Sequence, residues 1–83
     1  MLYDIVEVQV IKDYILYLRF ENDVAGRVDV SKIIPFDGVF SKLKDIAYFA
    51  TVRIDAELGT IVWDNGADLA PDYLYSIISN KVA

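Results

Sequence analysis

A side-chain period of two runs through the first thirty residues and restricts what they can fold into. Val6, Val8 and Val10 alternate with Glu7 and Gln9. Leu16, Leu18 and Phe20 alternate with Tyr17 and Arg19, and Val28 and Val30 alternate with Arg27 and Asp29. Successive strand residues point to opposite faces, so the pattern predicts three half-buried strands, over 5–12, 14–20 and 24–30. Lys12-Asp13 and Glu21-Asn22-Asp23 leave room only for tight turns, and Asn and Asp tolerate the left-handed backbone such turns need. Strands joined in this way form an antiparallel meander.

The rhythm changes at Ser31. Ser31 is expected to cap a single helical turn through Ile34, stopped by Pro35. After a turn at Phe36-Asp37-Gly38, residues Val39, Phe40 and Leu43 fall at helical spacing, and Asp45 is placed to cap a further turn through Phe49. Helices this short are marginal alone, so Phe40, Leu43, Ile46 and Phe49 are expected to hold them on the sheet. Period two returns at 51–56, where Val52 and Ile54 alternate with Arg53 and Asp55. Glu57-Leu58-Gly59 turns, with Gly59 supplying a positive φ, and β-branched and aromatic residues over 60–63 complete a hairpin. Asn65-Gly66 ends that strand. Pro71 suits the first position of a helix, where its missing N–H costs nothing, and Leu74, Ile77 and Ile78 give that helix an apolar stripe. Asn80 to Ala83 are expected to fray. The fold class is therefore α+β: a mostly antiparallel sheet, as a three-stranded meander plus a β-hairpin, with short helices in the middle and a C-terminal helix. Residues 1–83 read as a single domain without linker or repeat.

Composition narrows the function. An apolar fraction of 55%, with six Tyr, four Phe and one Trp, argues against disorder. Cysteine is absent, which removes disulfides and thiolate metal sites. A small secreted domain usually needs such staples, so a cytoplasmic location is expected. Met1-Leu2-Tyr3-Asp4 does not open like a signal peptide, and no apolar run approaches the roughly 20 residues of a membrane helix. The net charge is −5, and the eight Lys and Arg are scattered. Direct nucleic-acid binding needs a basic patch and is disfavoured. A basic protein partner fits better, although acidity also serves solubility. So many apolar residues in so short a chain also leave room for homo-oligomers. With no His, no Cys and only isolated glycines, the commonest general base, the strongest nucleophile and the phosphate loop are all missing. No enzyme activity and no cofactor is expected.

Several residues still invite a functional reading. Asp64, Asp68 and Asp72 recur every four residues, a spacing that would stack carboxylates on one helix face for an oxygen-seeking cation. Asn65-Gly66 and Pro71 forbid a continuous helix there, so no metal site is assigned. Asp68 is expected to bond backbone N–H groups near the helix start, where Ala70 offers no cap, and Asp72 to favour the positive helix end. Trp63 reads as a core anchor with its indole N–H on a loop carbonyl in preference to a ligand platform. Tyr14 and Tyr17 lie near one edge of the second strand, and Tyr73 and Tyr75 on different sides of the last helix. A partner-binding face, above all through Tyr14, Tyr17 and Tyr73, and a half-buried packing layer are both open for them. Arg19, Arg27 and Arg53 face outward, either as an anion strip or, more simply, in cross-strand pairs with Glu7, Asp29 and Asp55.

The string from Trp63 through Asn65-Gly66, Asp68 and Pro71 to Tyr75 resembles the closing motif of the bacterial family catalogued as domain of unknown function 2442. Tyr14 to Phe20 is similar to that family's second strand and Gly26 to Val30 to its third. Gly38-Val39-Phe40, Leu43, Phe49, Val52 and Asp55 are similar to its middle. The resemblance implies an α+β fold of the NE-type N-terminal-domain-like kind and no established enzymatic role. It also implies a small interaction protein, in some members the partner half of a toxin–antitoxin-like pair and in others a fusion to a DNA-reading helix-turn-helix domain. This chain shows no such fusion, so the expectation is a protein-interaction module, antitoxin-like, that binds a basic, toxin-like partner. The alternative is a small-ligand or metal-sensing regulatory domain that uses the Asp64 to Asp72 loop.

Overall fold

Leu16, Leu18 and Phe20 are fully buried, and every residue between them is half-buried, so the central strand follows its sequence pattern without exception. The computed structural model describes residues 3–82. Its strands are β1 (Ile5–Lys12), β2 (Ile15–Phe20), β3 (Ala25–Asp29), β4 (Arg53–Asp55) and β5 (Thr60–Val62). The helices are a 3₁₀ turn at Val30–Lys32, a 3₁₀ helix at Gly38–Lys44, α1 (Ile46–Phe49) and α2 (Pro71–Val82). β1, β2 and β3 form one antiparallel sheet in that order, and β4 and β5 form a separate hairpin. This is the α+β class the sequence predicts. The turns at Asp13 and Asp23 take the positive φ expected of them, 48° and 70°.

β1 departs from its predicted phase at its start, while Val8 and Val10 keep the predicted face opposite Leu18 and Leu16. Ile5 is buried opposite Phe20, whereas Val6 is 43% and Val10 39% exposed. The register shifts twice, between Ile5 and Glu7 and between Val10 and Lys12. Each shift is a bulge: one extra residue on β1 faces one on β2, which reverses the alternation locally. Ile5 thus takes the core place assigned to Val6, and Val10 and Ile11 run past the covered part of the sheet. The apolar doublets Ile5-Val6 and Val10-Ile11, which break a strict period of two, mark the places where the shifts fall.

The middle segment also corrects its expected caps. Asp29, not Ser31, caps the turn at Val30–Lys32, since its Oδ1 accepts from the Ser31 N–H and the Ser31 hydroxyl. Gly38–Lys44 is helical as predicted but winds as 3₁₀; Asp37 gives it no side-chain cap, and Leu43 is its one fully buried residue. Asp45 caps α1 as expected, with its Oδ1 accepting from Ala47 and Tyr48 N–H. Ile46, assigned to the core, is 47% exposed instead, and Phe49 alone of α1 is buried.

One core joins these pieces. Ile5, the inner residues of β2, Val28 and Val30 meet Leu43, Phe49, Ile61, Trp63, Leu69, Leu74 and Ile78. Of the stripe on α2, Leu74 and Ile78 are buried and Ile77 is half-buried. α2 runs to Val82, through the stretch predicted to fray, and Ala83 lies outside the described residues. No helix among the described residues is long and apolar enough to cross a membrane.

Gly26 sets how closely α2 approaches β3. A Cβ there would lie 2.8 Å from Ile78 Cγ2, inside van der Waals contact. Ile78 is branched at Cβ and stiff in a helix, so the helix itself would have to shift. Gly26→Ala should therefore destabilise the fold by about 1–3 kcal/mol, as other overpacked cores are destabilised. Ile78→Leu, which removes the Cγ2 methyl, should recover part of that loss. Urea unfolding of the two single variants and the pair checks this; simple additivity would show that the two residues do not clash.

Candidate functional site

The loop that leaves β5 holds most of the residues singled out in the sequence, and its geometry is built around Trp63. Trp63 is 1% exposed, and its Nε1–H donates to the Phe49 carbonyl at 2.9 Å. The two rings pack with centroids 5.6 Å apart. The indole thus fastens the hairpin exit to α1, and no face of it is left for a ligand. Beyond it the chain closes on itself: Trp63 N–H donates to the Ala67 carbonyl at 2.9 Å, and Gly66 N–H to the Trp63 carbonyl at 3.1 Å, with Gly66 at φ +91°.

Asn65 carries the polar work that the sequence assigned to Asp68. Asn65 Oδ1 accepts from Ala67 N–H at 3.1 Å, and its Nδ2 donates to the Val39 carbonyl at 2.9 Å. The Asn65 N–H donates to the Tyr48 hydroxyl at 3.0 Å. An amide fits here because it accepts on one side and donates on the other, which a carboxylate cannot do. Asp68 is exposed, its side chain has no hydrogen-bond partner among the described residues, and its backbone forms a bridge to Val62. Pro71 opens α2 as predicted, and Asp72 lies in its first turn with Oδ1 accepting from Tyr73 N–H.

The three aspartates are not brought together. Asp64 pairs with Arg53, whose Nε donates to its Oδ1 at 3.3 Å. Among the described residues no group of His, Cys, Asp and Glu side chains is arranged to hold a metal ion. Of the arginines, Arg19 pairs across the strands with Glu7 at 3.0 Å, as the pairing reading expects. Arg53 takes Asp64 in place of Asp55, because the Asp55 carboxylate accepts from Glu57 and Leu58 N–H in the hairpin turn. Asp29 is likewise committed to Ser31, and Arg27 sits opposite Tyr17 in the sheet.

The tyrosines divide between the two faces. The Tyr14 hydroxyl donates to the Lys44 carbonyl, and its ring meets Phe36 and Phe49 edge-on at 5.0 and 5.2 Å. The Tyr73 hydroxyl donates to the Ile33 carbonyl at 3.0 Å. Tyr75 packs edge-on against Phe20 at 5.0 Å and accepts from Asn22 Nδ2 at 3.0 Å. Tyr17 lies on the opposite face of the sheet, between Gln9 and Arg27. Tyr14, Tyr17 and Tyr73 therefore do not share one surface, and the hydroxyls of Tyr14 and Tyr73 are spent on loop carbonyls.

A feature absent from the sequence reading lies at the start of β1. The Ile5 N–H donates to the Gly59 carbonyl at 2.9 Å, which draws the hairpin turn against the strand edge. Gly59 is at φ +69°, and a side chain there would overlap the Asp4 carboxylate. Between them is a cleft of about 270 Å³, lined by Asp4, Ile5, Val6, Ile54, Ala56 and Gly59. Its walls are apolar apart from Asp4, whose N–H donates to Glu21 Oε2 at 2.6 Å. Beside it the outer edge of β1 is open. The Phe20 N–H turns toward Val24, so the alternating ladder turns the peptide groups of Val8 and Val10 away from β2. Among the described residues nothing pairs with them.

Two predictions come from these contacts. Each net hydrogen bond contributes about 1 kcal/mol, so Asn65→Ala should cost about 2 kcal/mol and Asn65→Asp, which keeps only the acceptor, about 1 kcal/mol. Asp68→Ala should change stability by less than about 0.5 kcal/mol, as an unbonded surface side chain does. Chemical denaturation measures all three, and a larger loss at Asp68 than at Asn65 would reverse the assignment. On the outer face, the bond from Arg19 holds the Glu7 carboxyl below its ordinary value of 4.5, and a second bond from Gln9 adds to it. The folded-state value is the lower one, so this group's contribution to stability is present above the unfolded value and lost as pH falls through the folded one. An NMR titration should place the Glu7 midpoint below 4.5 and move it back up in Arg19→Gln; an unmoved midpoint in the variant would remove Arg19 as the cause.

No curated protein and no solved structure matched the chain. The sequence pattern of a family described as protein of unknown function (DUF2442) matches residues 5–80, which takes in the three-stranded sheet, the hairpin and nearly all of α2. The chain belongs to the DUF2442 family.

Proposed function

We propose that this protein is an interaction module, the antitoxin-like half of a two-gene pair, which acts by occupying a basic partner protein and carries out no chemistry of its own. The observation that carries this reading is where the exposed apolar surface falls. Of the exposed large apolar side chains, Val6, Val10 and Ile11 lie on β1 and Leu58 in the turn whose Gly59 is bonded to Ile5, while Val39, Ile46 and Tyr73 lie elsewhere. Exposed large apolar side chains grouped at a strand edge are costly to leave in water and exposed to unwanted pairing, which favours a covering partner. The net charge of −5 favours a cationic one. The partner would be reached through β1 in place of the tyrosines, since the hydroxyls of Tyr14 and Tyr73 are bonded within the chain. The lack of His and Cys supports binding over catalysis.

Co-expression with the product of the adjacent gene tests the proposal. A small basic protein should co-elute with this chain as a stable complex on size exclusion, and cells should tolerate that protein only when this chain is present. A chain that elutes alone, beside a neighbour whose effect on growth it does not change, would refute both the pairing and the antitoxin role.

A further inference from the structure

The cleft at Asp4 and the open edge of β1 adjoin, and together they define a receptor for one kind of segment. Among the described residues β1 is paired on one side only, by β2, from Glu7 to Lys12. Its other side turns the peptide groups of Val8 and Val10 outward, the arrangement to which an added strand bonds. At the Ile5 end the hairpin blocks that edge through the Gly59 carbonyl, so a strand laid along β1 from Lys12 is stopped there. Where it stops, the cleft opens, with Val6 at 43% exposure on one wall and Ile54 and Ala56 on the other. Among the described residues its lining carries one charged group, the Asp4 carboxylate, and no cation. Apolar walls with a carboxylate among them suit a long side chain with a methylene stem and a cationic head.

We propose that the open edge of β1 accepts an extended segment of a partner protein as an added strand, and that a lysine or arginine of that segment enters the cleft to meet Asp4. This rests on the interaction reading above and names its surface and the chemistry of its ligand. Backbone bonds to Val8 and Val10 give the segment its hold, and the cleft gives it register. A bound strand also covers Val10 and Ile11, the side chains that the outer end of β1 leaves in water. The occupant is cationic because Asp4, the charged group of the cleft among the described residues, attracts a positive side chain and repels a negative one.

A short synthetic peptide of alternating valine and threonine, carrying one lysine and N-methylated on alternate amides so that it cannot stack on itself, serves as the probe. Titrated into the intact protein, it should shift the amide NMR signals of Val8 and Val10 together with those of Val6, Ile54 and Ala56. Asp4→Asn should weaken it by about fivefold, the upper range for a surface ion pair. The same peptide with glutamate in place of lysine should bind more weakly than the lysine peptide does to Asp4→Asn. Val10→Lys, which charges the edge as natural edge strands do, should abolish binding while the rest of the amide spectrum keeps its dispersion. Shifts confined to other elements, or equal binding of the lysine and glutamate peptides, would overturn the proposal. So would β1 shifts that appear with protein concentration alone, since a second copy of the chain would then be the occupant. Failure here is separable from failure of the interaction reading. A co-expressed complex that survives both Asp4→Asn and Val10→Lys keeps the partner and moves it off this edge. If no complex forms, the interaction reading falls and the peptide titration still decides the edge.

Discussion

The bond from the Trp63 indole to the Phe49 carbonyl joins the part of the chain that can hold its own shape to the part that cannot. From Val30 to Ala50 the backbone has a 3₁₀ turn, a 3₁₀ helix and a four-residue α-helix, none long enough to be stable by itself. Its peptide carbonyls need partners all the same. They find them in side chains sent from outside the segment: Trp63 to Phe49, Tyr14 to Lys44, Tyr73 to Ile33 and Asn65 to Val39. Each donor comes from a turn or helix that is fixed elsewhere. Phe49 is buried between Tyr14 and Trp63, so that the same residue is both the apolar plug and the polar anchor of the segment. Take the indole away and α1 loses its tie through the Phe49 carbonyl, leaving the bonds of Asn65 to Val39 and Tyr48.

That arrangement explains why the aromatic residues mislead as signs of a binding face. Tyr is enriched at interfaces because it has an apolar body and a polar tip. The same two properties suit a side chain that must fill space under an irregular segment and satisfy a carbonyl at its far end. Tyr14 and Tyr73 do this here, and nothing in their spacing separates the two uses. Asn65 and Asp68 pose the same ambiguity, since both residue types close loops and cap helices. The need to donate to Val39, which follows Asn65 by no sequence rule and lies far before it, decides between them.

The fold was legible where a residue's environment follows from its neighbours in sequence. β2 is covered on one face along its whole length, and its alternation is unbroken. Asp45, Gly59 and Pro71 act within a turn of their own positions, and each does what its type suggests. At the start of β1 a bulge puts Ile5 on the core face in place of Val6, while Val8 and Val10 stay on the face their alternation predicts, opposite Leu18 and Leu16. Only the doublets Ile5-Val6 and Val10-Ile11 betray it. The cleft at Asp4 was not legible at all, since it needs Gly59 to meet Asp4 across more than fifty residues of chain.

The bulges bear on how such an edge is used. Natural sheets protect open edges with bulges, charges and short strands, because an unpaired edge pairs with whatever arrives. β1 has two bulges and ends on Lys12, and the hairpin closes it at Ile5. What remains between them is a window around Val8 and Val10, too short to template long sheet growth and long enough for a few backbone bonds. Outside that window, the apolar side chains at Val6 and Ile11 sit where the register shifts have displaced them from the core. A strand evolved solely to stay unpaired would carry polar residues at those positions, because the bulges already free them from packing. The partner segment proposed above would cover them and account for their apolar character.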